Sequence, residues 1–176
     1  MHDAVAPKPP MDPETLDFLH AVLDAVRRGE AARLAPLLDK GLPPNLRDHK
    51  GDSLLMLAAY HGHFDTAEAL LRHGADPELA NDRGQTPLAG AAFKGDLRMA
   101  RLLLDHGARV DGTGPDGRTP LMVAAMFNRL DILELLLARG ADPAARDAAG
   151  MTAWEAALKM GAVEAAQRLG QTPSSQ

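Results

Sequence analysis

The sequence predicts an all-α solenoid in which one helix–turn–helix unit is repeated and stacked. Three columns of glycine carry that prediction. Gly51, Gly84, Gly117 and Gly150 form the first, Gly41, Gly74, Gly107 and Gly140 the second, and Gly29, Gly62, Gly95 and Gly161 the third, all on a 33-residue step. The third column has one substitute, Asn128, and Asn is the residue after Gly that best tolerates a left-handed backbone. Columns sharing one register exclude a mixed globular fold and mark units that touch only their neighbours. Composition agrees. The chain of 176 residues is 45% apolar but only 3% aromatic, so its core is built from Leu, Ala, Met and Val, whose modest size lets short helices approach closely.

The elements follow in order. Residues 1–13 (MHDAVAPKPPMDP) form a Pro-rich lead-in, expected to be disordered or polyproline-like. Residues 14–47 are an N-terminal helical cap: a helix over Glu14–Arg28 opened by Asp12-Pro13, then a second over Ala31–Leu38, with Gly29 and Gly41 keeping phase but no turn finger before them. Three full units span 48–80, 81–113 and 114–146. In the second of these, Asn81-Asp82-Arg83-Gly84 is a turn. Thr86 caps a helix and Pro87 takes its first position, where a missing N–H is harmless. Leu88, Ala91 and Ala92 give that helix an apolar face, and Gly95 ends it. Asp96 caps the next helix, which runs to Asp105 with Leu97, Ala100, Leu103 and Leu104 as its expected apolar face, and Gly107 closes the unit. Residues 147–170 are a C-terminal capping repeat, with Ala162–Leu169 as its last helix and Trp154 filling space in the capping layer. Residues 171–176 (QTPSSQ) are an expected disordered tail.

Gly-x-Thr-Pro-Leu appears at Gly84–Leu88 and Gly117–Leu121. Each is followed by Ala-Ala, by Gly or Asn, and by a Leu-Leu pair with Gly-Ala downstream; Gly74-Ala75-Asp76 and Gly140-Ala141-Asp142 end two units. This grammar resembles the ankyrin repeat over roughly 48–170, with weaker cover from Glu14. Departures are local. Met56, Ala89, Met122 and Glu155 replace the His that follows Thr-Pro-Leu in that family, Ser53-Leu54 replaces Thr-Pro, and Ala153-Trp154 replaces Pro-Leu. The missing His puts turn rigidity in doubt, not the fold.

Chemistry is sparse. There is no Cys, so thiol nucleophiles, disulfides and thiolate zinc sites are excluded. No Gly-rich phosphate loop or Gly-x-Ser-x-Gly occurs, and Ser53 sits in a capping slot. A net charge of −5 argues against nucleic acid as partner. No run approaches a signal peptide or the ~20 apolar residues of a membrane span, which predicts a soluble cytoplasmic protein with no membrane partner. His73 and His106 stand at helix C-termini, where the dipole favours them. Asp65 with Glu68, and Asp131 with Glu134, read as solvated helix faces. The rival reading is a metal- or small-molecule-binding accessory protein using His49, His61 and His63. Against it, Gly62 breaks the helix between two of those imidazoles and predicts that they diverge. The chain is therefore expected to be non-catalytic and to hold no metal or cofactor.

The resemblance implies recognition of a protein partner through a concave face lined by turn tips and first-helix ends. Carried onto this sequence, the helix ends supply Tyr60, Phe93, Met126 and Lys159, then His61, Lys94, Phe127 and Met160. The tips supply His49, Lys50, Asp52, Asp82, Arg83, Gln85, Asp116 and Arg118, with Pro115, Ala148, Ala149 and Met151 completing them. Three of the chain's six aromatics fall in the two helix-end columns, as anchors would. Lys50, Arg83, Lys94, Arg118 and Lys159 against Asp52, Asp82 and Asp116 make the face +2 on a −5 chain, which suits acidic groups around an apolar centre. The expected protein is a monomer.

Overall fold

The structure, a computed structural model, describes residues 10–170. Of the lead-in expected to be disordered over 1–13, residues 1–9 lie outside the described residues, as does the expected tail 171–176, whereas Asp12 caps α1 and Pro13 is its first residue. The helices are α1 (Pro13–Arg27), α2 (Ala31–Asp39), α3 (Leu54–Tyr60), α4 (Phe64–Arg72), α5 (Pro87–Lys94), α6 (Leu97–Asp105), α7 (Pro120–Met126), α8 (Leu130–Ala138), α9 (Ala153–Met160) and α10 (Val163–Gly170). They form five antiparallel pairs. Packing runs within a pair and to the adjacent pair, first helix on first helix and second on second. The fold is the all-α solenoid that the glycine register predicts.

Local chemistry sets each helix boundary. Asp12, Ser53, Thr86, Thr119 and Thr152 accept from the backbone N–H groups of Thr15, Met56, Ala89, Met122 and Glu155, and each such cap contributes about 1 kcal/mol. At α9 the Glu155 carboxylate also accepts from the Thr152 N–H, completing a capping box. All twelve periodic glycines have φ between 69° and 98°, and Asn128 has φ 56°.

The core is a ladder of small residues between Leu columns. Ala58, Ala91 and Ala124 on the first helices are fully buried, as are Leu70, Leu103 and Leu136 on the second. Burial of each such Leu contributes roughly 1.5–3 kcal/mol. The buried face of α6 differs from the expected one: Met99, Ala100, Leu102 and Leu103 are buried, while Leu97 and Leu104 are only half-buried. The reason is that α6 packs on α5, α4 and α8 at once, so its covered arc is wider than one stripe. Thr66 shares a register column with buried Met99, Ile132 and Ala165, and its hydroxyl has no hydrogen-bond partner among the described residues. Trp154 does not fill the capping layer. It lies 44% exposed, because no layer among the described residues follows to cover its column.

Polar stitching joins the layers in register. Asn45, Glu78 and Asp111 accept through their side chains from the N–H groups of Asp76, Arg109 and Asp142, each 31 residues on. Tip turns are held without the family's His: Asp48 accepts from Lys50 and Asp52, Asn81 from Arg83 and Gln85, and Asp147 from Ala149 and Met151. These side-chain turns answer the doubt about rigidity. Gly114 stands in the same column, where a Cβ would overlap the Gly84 backbone carbonyl. On the outer rim, His73 meets Asp39, Arg139 meets Asp105 and Arg168 meets Glu134, each across 34 residues.

Two glycine variants separate strain from overlap. Gly107→Val should lower stability by more than about 1 kcal/mol through its φ of 93° alone, since nothing lies within 4 Å of its added Cβ. Gly114→Ala should destabilise by clash, with no left-handed φ involved. Urea midpoints of both variants against wild type check this, and an unchanged Gly107→Val midpoint would refute the strain.

His73 gives a pH signature. Its Nδ1–H donates to the Ala69 carbonyl and its Nε2–H to the Asp39 carboxylate, so the cation is favoured and its pKa is raised above 6.5. Its contribution is therefore fully present below the unfolded value near 6.5 and is lost as pH rises through the folded value. Denaturation midpoints across pH 5 to 9 should show that slope in wild type and not in His73→Gln.

Candidate functional site

Every helix-end candidate terminates a first helix. Tyr60 is the last residue of α3, Phe93 and Lys94 close α5, Met126 closes α7, and Lys159 and Met160 close α9, while His61 and Phe127 are the C-cap residues of α3 and α7. The following left-handed residue turns the chain sharply outward and stops each helix one step beyond its buried Ala-Ala pair. The terminal side chains thus emerge at the surface. Tyr60, Phe93 and Phe127 are 45%, 41% and 37% exposed.

They are paired across layers rather than standing alone. The Lys94 ammonium lies 4.1 Å from the centre of the Tyr60 ring. Phe93 and Phe127 meet edge to face at 4.8 Å. Both contacts run from one layer's first column to the next layer's second column, 34 residues on, and Met126 and Met160 stand in the same relation. Reading the columns vertically misses this diagonal, although the 34-residue spacing of the aromatics carried the signal. Phe93 and Phe127 rest on each other, and all three rings remain exposed.

His61 and His63 do not diverge as expected. Their rings stack at 6.1 Å with 26° between planes. The cause is His63, whose Nε2 bonds the Arg27 carbonyl of the preceding layer and so turns its ring back across the helix end. That bond commits one of its nitrogens to the frame. Among the described residues, no group of three or more His, Asp or Glu side chains is placed to hold a metal ion, so His49 does not complete a site with this pair. Partial desolvation, followed by the charges of His63, Lys94 and Arg27, holds His61 below the ordinary imidazole range.

Arg129 occupies the slot of His63 two layers on, and it donates Nε–H and Nη2–H to the Phe93 carbonyl. It therefore fixes the helix end that carries the Phe93 ring. Sequence reasoning passed over Arg129, although its position 66 residues after His63 marks it as the same joint.

At the tips, His49, Lys50, Asp82, Arg83, Gln85, Asp116 and Arg118 are exposed and Asp52 is half-buried. Several serve the frame. Asp52 accepts from the Asn81 amide, the Asp82 N–H donates to the Lys50 carbonyl, and the Ala148 N–H donates to the Asp116 carbonyl. Asp116 also faces Arg118 at 3.8 Å. A concavity nearby, lined by Asn128, Arg129, Asp131 and Glu164, is polar and open. The arrangement is suited to contact over a broad surface rather than to enclosing a small molecule.

Comparison with known proteins agrees with the geometry. A family model described as ankyrin repeats in three copies matches residues 22–114, 55–147 and 109–174. An ankyrin repeat protein of Pseudomonas aeruginosa is 61% identical over 61 residues, which is 35% of this chain and 36% of that relative. The match thus spans about a third of the relative's length. No helix among the described residues is long and apolar enough to cross a membrane.

The Phe93–Phe127 contact has a measurable strength. A double-mutant cycle with Phe93→Ala and Phe127→Ala should give a coupling of about 0.5–1.5 kcal/mol in unfolding free energy. A coupling near zero would mean that the edge-to-face pair is not maintained in solution.

Proposed function

We propose, from the premise that the chain belongs to the ankyrin-repeat family, that it is a non-catalytic module binding a partner protein through the surface of first-helix ends and turn tips. Ankyrin repeats are in general protein–protein interaction modules and not enzymes. One observation supports this particular surface above others: Tyr60, Phe93 and Phe127 are exposed aromatics aligned across successive layers. Large rigid rings lose little conformational entropy on binding and dominate interface energies.

Charge supports the kind of partner. Lys94 sits over Tyr60, and Lys50, Arg83 and Lys159 are exposed at neighbouring positions. Partial burial, and after it the neighbouring charges of Lys94 and Arg27, disfavour the cationic form of His61. The partner surface that fits is an apolar centre ringed by carboxylates. With layers roughly 10 Å apart, the row of helix ends is about 40 Å long, enough for the ~800 Å² per side of a standard interface.

The test is a triple variant, Tyr60→Ala with Phe93→Ala and Phe127→Ala. Partners captured from the native host by wild-type chain should bind the variant at least about 100-fold more weakly, with helical content preserved. Unchanged affinity in a folded variant would assign binding elsewhere.

A further inference from the structure

Each layer in the stack is covered on one side by the layer before and on the other by the layer after. Residues that face the following layer recur in register. Val22, Leu55, Leu88 and Leu121 form one such column and are buried, and its last member is Trp154. Ala59, Ala92 and Ala125 form another, also buried, and it ends in Leu158, 53% exposed. Phe64, Leu97 and Leu130 are half-buried, and their counterpart Val163 is 63% exposed. Trp154, Leu158 and Val163 line an apolar hollow of about 330 Å³ with Ala166, Gln167 and Gly170.

The other end of the stack is finished differently. Positions facing a preceding layer are covered in later layers: Leu57, Gly90, Val123 and Ala156 are buried or half-buried in one column, and Thr66, Met99, Ile132 and Ala165 are buried in another, Thr66 being the polar member. The first layer carries Asp24 and Arg33 at those positions, both exposed. A terminal layer facing water needs a polar outer face. The first layer presents charges at these two positions, its exposed Leu16 and Phe18 standing on the turns of α1 that precede the stacked register, whereas the last layer presents Trp154, Leu158 and Val163.

We propose that the C-terminal end face is a self-association site, occupied by the same face of a second copy of this chain across a twofold axis. The face continues the interface that already joins every layer to the next, so an apolar helical layer is the shape it accepts. A head-to-tail arrangement would press Asp24 and Arg33 against Trp154 and Leu158 and strip water from both charges. Face-to-face docking sets apolar on apolar and closes after two copies. Helix α9 is also self-complementary when antiparallel. Trp154 and Leu158 lie one turn apart, so the axis places Trp154 of one copy on Leu158 of the other. The Gln171–Gln176 segment carries no aromatic or branched aliphatic side chain to cover the face instead. The exposed apolar part of the face is three side chains, Trp154, Leu158 and Val163, and each copy carries −5. The dimer is therefore weak, with Kd on the order of 0.1 mM. This departs from the monomer expected from sequence.

Trp154 is the chain's single Trp, which makes the face self-reporting. Sedimentation equilibrium and Trp emission of the full chain would be followed from about 1 µM to about 1 mM, the range that brackets such a Kd. Mass should rise toward a dimer while the emission shifts to the blue in parallel. Leu158→Lys, at an exposed position, should keep the melting temperature and weaken association more than tenfold. Phe93→Ala, on the partner-binding surface, should dimerise as wild type does. A wild-type chain that stays monomeric at 1 mM would overturn the proposal. So would a dimer indifferent to Leu158→Lys, a dimer lost in Phe93→Ala, or assembly that continues past two copies.

Discussion

No helix pair in this chain can hide its own apolar surface. Each pair is seven to fifteen residues per helix and presents Leu and Ala on both broad sides, so the free energy of burial exists only between neighbours. The 33-residue register follows from that constraint. A layer one residue out of step would set Leu55 against a helix end instead of against the Ala columns. The left-handed residues enforce the step by ending every helix at the same height. The small side chains of the Ala ladder then let the first helices approach closely enough to pack.

Hydrogen bonding between layers is less uniform than the packing. The first and second pairs are joined by His63 on the Arg27 carbonyl and by His73 on Asp39. The third and fourth are joined at the same slots by Arg129 on the Phe93 carbonyl and by Arg139 on Asp105. Between the second and third pairs those slots hold Asp96, an acceptor that caps its own helix through the Met99 N–H, and His106, which bonds the Leu102 carbonyl of its own helix. Two cations over rings stand at that joint instead: Lys94 on Tyr60 and Arg98 on Phe64 at 3.6 Å. Cation–ring contacts of this partly exposed kind contribute on the order of 0.5–1 kcal/mol. Lys94, a residue of the proposed binding surface, thus contributes to the middle joint beside the bonds of Asn81 to Asp52 and of the Arg109 N–H to Glu78.

The same economy appears in the aromatic row. Phe93 and Phe127 hold each other in place, an arrangement that would limit the rotamer freedom lost on binding at the proposed surface. The frame positions them through Arg129 and the left-handed Asn128, neither of which has to touch a partner. Through the three full units Ala58, Ala91 and Ala124 and Leu70, Leu103 and Leu136 stay constant, while the helix ends, tips and outer rim vary.

The sequence by itself determined the fold class, the positions of the caps and the left-handed residues, and the placement of three aromatics at helix ends, because each of these depends on residue type at a fixed step. Only the tertiary structure decided which groups meet. The 34-residue diagonal joining Tyr60 to Lys94 and Phe93 to Phe127 comes from how adjacent layers are offset in space, and no single-layer pattern contains it. The stacking of His61 on His63 depends on a carbonyl 36 residues away. The wide buried arc of α6 depends on three neighbouring helices. Trp154 occupies a column that is buried in every earlier layer, and its exposure follows from the absence of a covering layer among the described residues, a fact of three-dimensional context that residue type does not encode.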